Sequence, residues 1–235
     1  FLLEARTQQV PHPGLLQVRD FGEDDHSVFL VTDFVEGPSL REALVETGAF
    51  PWQRASALLL QALDAVAALH RNGGFVCGVN PDMIRLRAID TDAGGESPSS
   101  SAEGQTEQIV VSSAGIRSVQ DVLATMREQE LRGQEASEHE LPYVAPEVLM
   151  GGAPDERADV FTIGVLAYEM VTGRQPFRAA SVPELLGQML QAKPDPPLLK
   201  AAGVPVNLND AILRAISGSP AYRFESAEAL AAALE

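Results

Sequence analysis

The chain has 235 residues, enough for one large domain or two small lobes around a sizeable core, and 45% of them are hydrophobic. Its 17 Lys and Arg against 33 Asp and Glu give a net charge of -16, which argues against a surface for nucleic acid or an anionic membrane. The single cysteine, Cys77, allows no internal disulfide and the four histidines lie scattered without metal-ligand spacing, so a reducing cytoplasm fits.

The chain starts at Phe1 without a Met and reads as an excerpt of something longer, with no signal peptide or membrane helix visible. Residues 1–10, FLLEARTQQV, have a helical composition that His12-Pro13-Gly14 breaks. Leu15 to Phe21 and Val28 to Val35 alternate or run apolar over strand lengths, with the acidic turn Glu23-Asp24-Asp25 between them, and predict a β-hairpin followed by a turn at Gly37-Pro38. From Trp52 to His70, Leu58, Leu59, Ala62, Val66 and Leu69 fall at helical spacing, and His70 at the end is expected to cap the helix and offset its dipole. Met83 to Ile89 reads as a short strand.

The segment 90–108, DTDAGGESPSSSAEGQTEQ, is rich in Gly, Ser and acid and has nothing to bury, which predicts a disordered insertion interrupting a hairpin. Ser97 and Ser99 to Ser101 are candidate phosphorylation sites there, although a plain solvated insertion is the favoured account of them. Ile109 to Ser112 resumes as a strand. Val119, Val122, Leu123 and Met126 then repeat at helical spacing within SVQDVLATMREQELRG. Val160 to Val171 is apolar on nearly every face, with Asp159 as its expected cap and Gly173 and Pro176 as its stop. A helix apolar all round belongs in a core, and this one is shorter than the about 20 residues that cross a bilayer. Ser181 to Ala192, Leu208 to Ile216 and Ser226 to Leu234 complete the predicted helices, with a Pro-rich loop at 193–197.

The stretch from Leu141 to Phe177, LPYVAPEVLMGGAPDERADVFTIGVLAYEMVTGRQPF, sets Ala145-Pro146-Glu147 ahead of an acid-capped, wholly apolar helix. In this order it resembles the eukaryotic-type protein kinase family, and its Ala-rich flavour is similar to the bacterial serine/threonine kinases. The resemblance runs from Glu4 to the end and implies an α+β fold. A partial small lobe over 1–35, the end of the regulatory helix and the last strands, would join a mainly helical large lobe over 36–235. It implies that Glu4 is the glutamate that pairs with the small-lobe lysine. VFLVTDFVEGPSL would be the last small-lobe strand and the hinge, with Thr32 as gatekeeper and the backbone of Asp33 and Val35 where the family holds adenine. Glu147 would pair with Arg223 of SPAYRFESAEALAAAL, and Asp159 would receive backbone N–H groups from the catalytic loop. The glycine-rich loop and the lysine strand precede this point in the family.

The same resemblance shows what is missing. The family's His-Arg-Asp-Leu-Lys-Pro-x-x-Asn reads Val76-Cys77-Gly78-Val79-Asn80-Pro81-Asp82-Met83, with Pro81 holding the register. Phosphoryl transfer needs a carboxylate for the substrate hydroxyl, a lysine for the phosphoryl group and an asparagine for magnesium. Gly78, Asn80 and Met83 stand in those places. Glycine is no base, and a thioether is a soft ligand that Mg²⁺, which wants oxygen, does not take. Asp82 as a substitute base is disfavoured because it belongs to a different loop position. Asp-Phe-Gly reads Ser113-Ala114-Gly115, so a hydroxyl replaces the second magnesium ligand and Ala114 and Val76 replace spine aromatics. Glu140 stands where a threonine would contact the base. The degenerate positions Gly78, Asn80, Met83 and Ser113 together point to a pseudokinase in signalling, a cytoplasmic protein-interaction or regulatory module with a protein partner, no catalytic residues and no cofactor or metal expected. In the alternative, an active serine/threonine kinase, ATP and Mg²⁺ would be used, and nucleotide binding without turnover lies between the two. On either reading, this segment meets no nucleic acid and no membrane.

Overall fold

The computed structural model describes residues 10–23, 28–89, 106–112, 140–179, 181–191, 194–197, 201 and 203–234. β1 (Val18–Glu23) and β2 (Val28–Thr32) pair antiparallel, with Phe21 opposite Leu30 and an irregularity between Val18 and Asp20. Leu15, expected in the first strand, instead bridges to Val111. Its side chain is 2% exposed, so burial in the main core outweighs continuation of the hairpin.

α1 (Leu40–Thr47) was not anticipated. Ser39 Oγ accepts from the Glu42 N–H at 3.1 Å and the Glu42 carboxylate accepts from the Ser39 N–H at 2.6 Å, a reciprocal capping box that starts a helix in an otherwise extended stretch. α2 (Trp52–His70) buries Leu58, Leu59, Ala62, Leu63, Val66 and Leu69 along one face, as its spacing requires. A single tight turn, Pro81–Met83, leads into β3 (Ile84–Ile89), which pairs antiparallel with β4 (Thr106–Val111) in unbroken register from Ile84 opposite Val111 to Ile89 opposite Thr106.

The strand therefore begins earlier than the expected insertion 90–108 allows. Thr106, Glu107 and Gln108 pair with Ile89, Ala88 and Arg87, because six ladder pairs outweigh the polar composition of those three residues. The rest of that insertion, the predicted helix at 118–133 and the expected helix at residues 1–9 lie outside the described residues. The outward edge of β4 is held by other parts of the chain. The Gln61 side chain of α2 donates to Glu107 O at 3.0 Å and accepts from Ile109 N–H at 3.0 Å, while Val111 N–H donates to Gly14 O at 2.8 Å and Leu16 N–H donates to Val111 O at 2.9 Å.

Beyond α3 (Pro146–Leu149), α4 (Glu156–Thr172) is the axis of the molecule, buried at every position from Ala158 to Val171. It starts ahead of the expected boundary. Its cap is Asp155, whose Oδ1 accepts from Arg157 N–H at 2.9 Å, and not Asp159, which lies in the first turn and is 0% exposed. Asp159 sits inside the helix and not at its cap position, so its carboxylate is free to take donors from elsewhere in the chain. α4 ends at Gly173, φ +69°, in the left-handed region that closes helices. α2, α6 (Val206–Ala215) and α7 (Ala227–Leu234) pack directly against this axis, and α5 (Val182–Gln191) packs against α3. Gly164 lets α6 approach, since a Cβ there would lie 2.7 Å from the Ala215 Cβ. Among the described residues no helix is long and apolar enough to cross a membrane.

Candidate functional site

The turn between α2 and β3, Val76 to Met83, is hung from α4. Asp159 accepts from the backbone N–H groups of Val76 and Cys77, both at 2.7 Å, and its Oδ2 lies 2.8 Å from His70 Nε2. A carboxylate with no exposed surface is tolerable only with such partners. His70 lies in the last turn of α2, as expected, and its buried ring, against Phe75 and Asp159, also joins that turn to the first turn of α4. These bonds draw the backbone into a left-handed bend, φ +42° at Cys77 and φ +97° at Gly78. Burial, with the Asp159 charge behind it, pushes the Cys77 thiol far up, so it stays protonated and is no nucleophile.

Each predicted site residue in this turn has a definite surrounding. At Gly78 a Cβ would meet Val144 Cγ2 at 2.7 Å on a backbone that side chains rarely adopt, so Val144 fills the space where a side chain at position 78 would project. Asn80 is buried and turned onto its own loop, its carbonyl oxygen accepting from Asp82 N–H at 2.9 Å. Met83 packs against the core, and its carbonyl accepts from Ser112 N–H at 2.8 Å. This donor set does not fit Mg²⁺: the one side-chain oxygen among residues 78, 80 and 83 is already engaged, and the remaining donor is a thioether. Ser113 and Glu4 lie outside the described residues.

Of the residues expected to form a hinge, Thr32 pairs with Val18 and Asp33 N–H donates to Gln17 O at 3.0 Å. The Asp33 carboxylate takes two bonds from Arg19, at 2.6 and 2.7 Å, which lower its pKa, and Val35 follows half-buried. Glu147 and Arg223 are joined in a forked pair at 2.6 and 2.8 Å. Arg223 is 2% exposed, also donates to the carbonyls of Arg157 and Ser217, and lies 4.8 Å from the Phe161 ring centroid.

A second polar cluster escaped the sequence reading. Arg41 of α1 donates to Glu169 Oε1 of α4 at 2.7 Å and to the Tyr143 hydroxyl at 3.0 Å; that hydroxyl donates to Glu169 Oε2 and accepts from Gln175 Nε2 at 3.1 Å. Burial, then the Glu169 charge, pushes the Tyr143 phenol far up, while Tyr143 and Glu169 outweigh burial in raising Arg41. Its partners lie 102 and 128 residues away, so nothing near Arg41 in the chain signals the cluster. The available signal was Glu169 itself, one carboxylate inside an apolar run. The cluster floors a cleft of about 430 Å³ lined by Arg41, Asp82, Glu169, Arg174, Gln175 and Arg178.

The model of the family described as protein tyrosine and serine/threonine kinase matches residues 105–232. The serine/threonine-protein kinase PknL of Mycobacterium tuberculosis is 32% identical, aligned over 100% of this chain and 53% of its own length. PkaA of Streptomyces coelicolor, also a serine/threonine-protein kinase, is 33% identical over 96% of this chain and 37% of its own. The chain thus spans about half the length, or less, of these relatives. The crystal structure of the Mycobacterium tuberculosis PknI kinase domain superposes with a TM-score of 0.71 at 23% identity, covering 100% of this chain and 76% of that one.

Proposed function

Because the chain belongs to the protein tyrosine and serine/threonine kinase family, we propose that it is a pseudokinase domain, a member that has kept the scaffold and lost phosphoryl transfer. It serves as a protein-interaction or regulatory module in bacterial signalling, in the cytoplasm, with a protein partner. The observation that carries this reading is Gly78. The family's base would stand there, and the position has no side chain, a left-handed backbone and Val144 in the space a side chain would need. A site that had lost its base by a single recent change would keep room for it. Asn80 and Met83 add the loss of a cation and of an oxygen ligand. Removing a base alone slows such a reaction by about 10²- to 10⁴-fold. The losses are not additive, yet they fall on different tasks.

The relatives, both serine/threonine-protein kinases, favour a second reading, an active serine/threonine kinase that uses ATP and Mg²⁺. A phosphotransfer assay on the full-length protein, with radiolabelled ATP, Mg²⁺ or Mn²⁺ and a mixed protein acceptor, separates the two. We expect no transfer from the wild type and none from Gly78→Asp, whose carboxylate has no room. Transfer by the wild type that Asp82→Asn abolishes would establish the second reading and make Asp82 the base.

A further inference from the structure

The two ring nitrogens of His70 are treated unequally. Nε2 lies 2.8 Å from Asp159 Oδ2, in a carboxylate that already accepts from two backbone N–H groups, so Nε2 carries the hydrogen and donates. Nδ1 is then a bare acceptor. It is buried with no hydrogen-bond partner, and the group it faces at 3.8 Å is another acceptor, Glu156 Oε2. Glu156 and Asp159 stand three residues apart on the first turn of α4, which places one carboxylate at each ring nitrogen.

The other charges near the ring are matched. Glu228 of α7 is held at 3.2 Å by Arg71, the residue after His70, and the Cys77 thiol stays protonated. Asp159 is not matched: it has no exposed surface, its other partners are neutral N–H groups, and among the described residues no Arg or Lys pairs with it. A buried carboxylate without a cation is costly, and a second proton on His70 supplies the cation. The same proton turns Nδ1 into a donor toward Glu156, which a closing movement of about 1 Å brings into hydrogen-bond range. The last turn of α2 is the negative end of its helix dipole and favours a charged ring, while Asp155, Glu156 and Asp159 cover the opposing positive end of α4. Burial of the ring opposes the charge, yet one proton answers two unmatched groups, the Asp159 carboxylate and the Nδ1 lone pair. We propose that His70 is a proton-operated latch between α2 and α4, tightened when its second proton binds and slackened when it leaves, beneath the turn 76–83 whose backbone Asp159 holds. The folded chain offers that proton two carboxylates and the unfolded chain none. The stability it adds is therefore present at low pH and lost as pH rises through the range of about 5 to 8 in which histidines give up their charge. The latch operates whether or not the chain transfers phosphoryl groups.

Calorimetry on the full-length protein, wild type beside Glu156→Gln, tests the latch. The Glu156 side chain is 43% exposed, so the variant keeps the fold, and its amide N–H donates to the bare Nδ1 of the neutral ring but not to the charged ring. The melting temperature of the wild type minus that of the variant should rise by about 2 to 4 °C on going from about pH 8 to about pH 5.5. The other three histidines are common to both proteins and cancel in that difference. Long-range ¹H–¹⁵N NMR of the wild type should show the His70 hydrogen on Nε2 alone at about pH 8 and on both nitrogens at about pH 5.5. A temperature difference that stays constant or falls on acidification, a hydrogen on Nδ1 alone at the higher pH, or a ring still neutral at the lower one would each overturn the proposal.

Discussion

Gly78 combines φ +97° with a neighbour 2.7 Å from where a Cβ would be. Gly78→Ala is therefore expected to lower stability by about 1 to 3 kcal/mol through backbone strain, with more from the Val144 contact, as read by urea denaturation. Arg223 fills a different role: its side chain is fully covered, and Glu147 faces it with the only carboxylate of the pair. Arg223→Ala removes one partner of a buried pair, for an expected loss of about 3 to 5 kcal/mol. Asp159→Asn keeps the shape but turns an amide N–H toward a donor, Val76 or Cys77, and should cost about 1 to 3 kcal/mol for the unmatched group. At this scale the side-chain types at positions 78, 80 and 83 were legible, because they are read directly. What surrounds Gly78 was not, since Val144 is sixty-odd residues away and approaches only through the tertiary fold.

Elements differ in how openly they are written in the chain. α2 and α4 were legible because a long apolar period or an unbroken apolar run leaves few alternatives. α1 was missed although Ser39 and Glu42 spell out a capping box, because the hinge-like motif of residues 28–40 absorbed Ser39 and the start of the helix. Its stability carries a pH signature. The Ser39 backbone N–H, then the Ser39 hydroxyl, hold the Glu42 pKa below its ordinary value. The folded value is the lower one, so this contribution is present at neutral pH, above the ordinary glutamate pKa of about 4.3, and is lost as pH falls through the depressed value. Glu42→Gln should flatten the acid limb of a stability-against-pH curve and leave the neutral limb's slope unchanged. Between α4 and α6 the contact depends on Gly164, and Gly164→Ala should cost about 1 to 3 kcal/mol by forcing the helices apart.

For the whole molecule the dominant quantity is the charge of -16, which repels itself in the compact state. The buried pairs are shielded from ions, while the exposed Arg19–Asp33 and Arg71–Glu228 contacts contribute little. Raising salt from about 0.01 to about 0.2 M is therefore expected to raise the melting temperature in calorimetry, because screening relieves more repulsion than attraction. That repulsion is also what keeps copies of the protein apart, and β4 shows a second safeguard. A two-stranded hairpin normally leaves outward-facing groups on which another chain's strand can grow. Here a glutamine from a helix and a short run of backbone occupy much of that rim, so the hairpin offers a foreign strand few places to attach. Gln61→Ala should open that rim without touching the core, and light scattering should then show an association that grows as added salt screens the net charge.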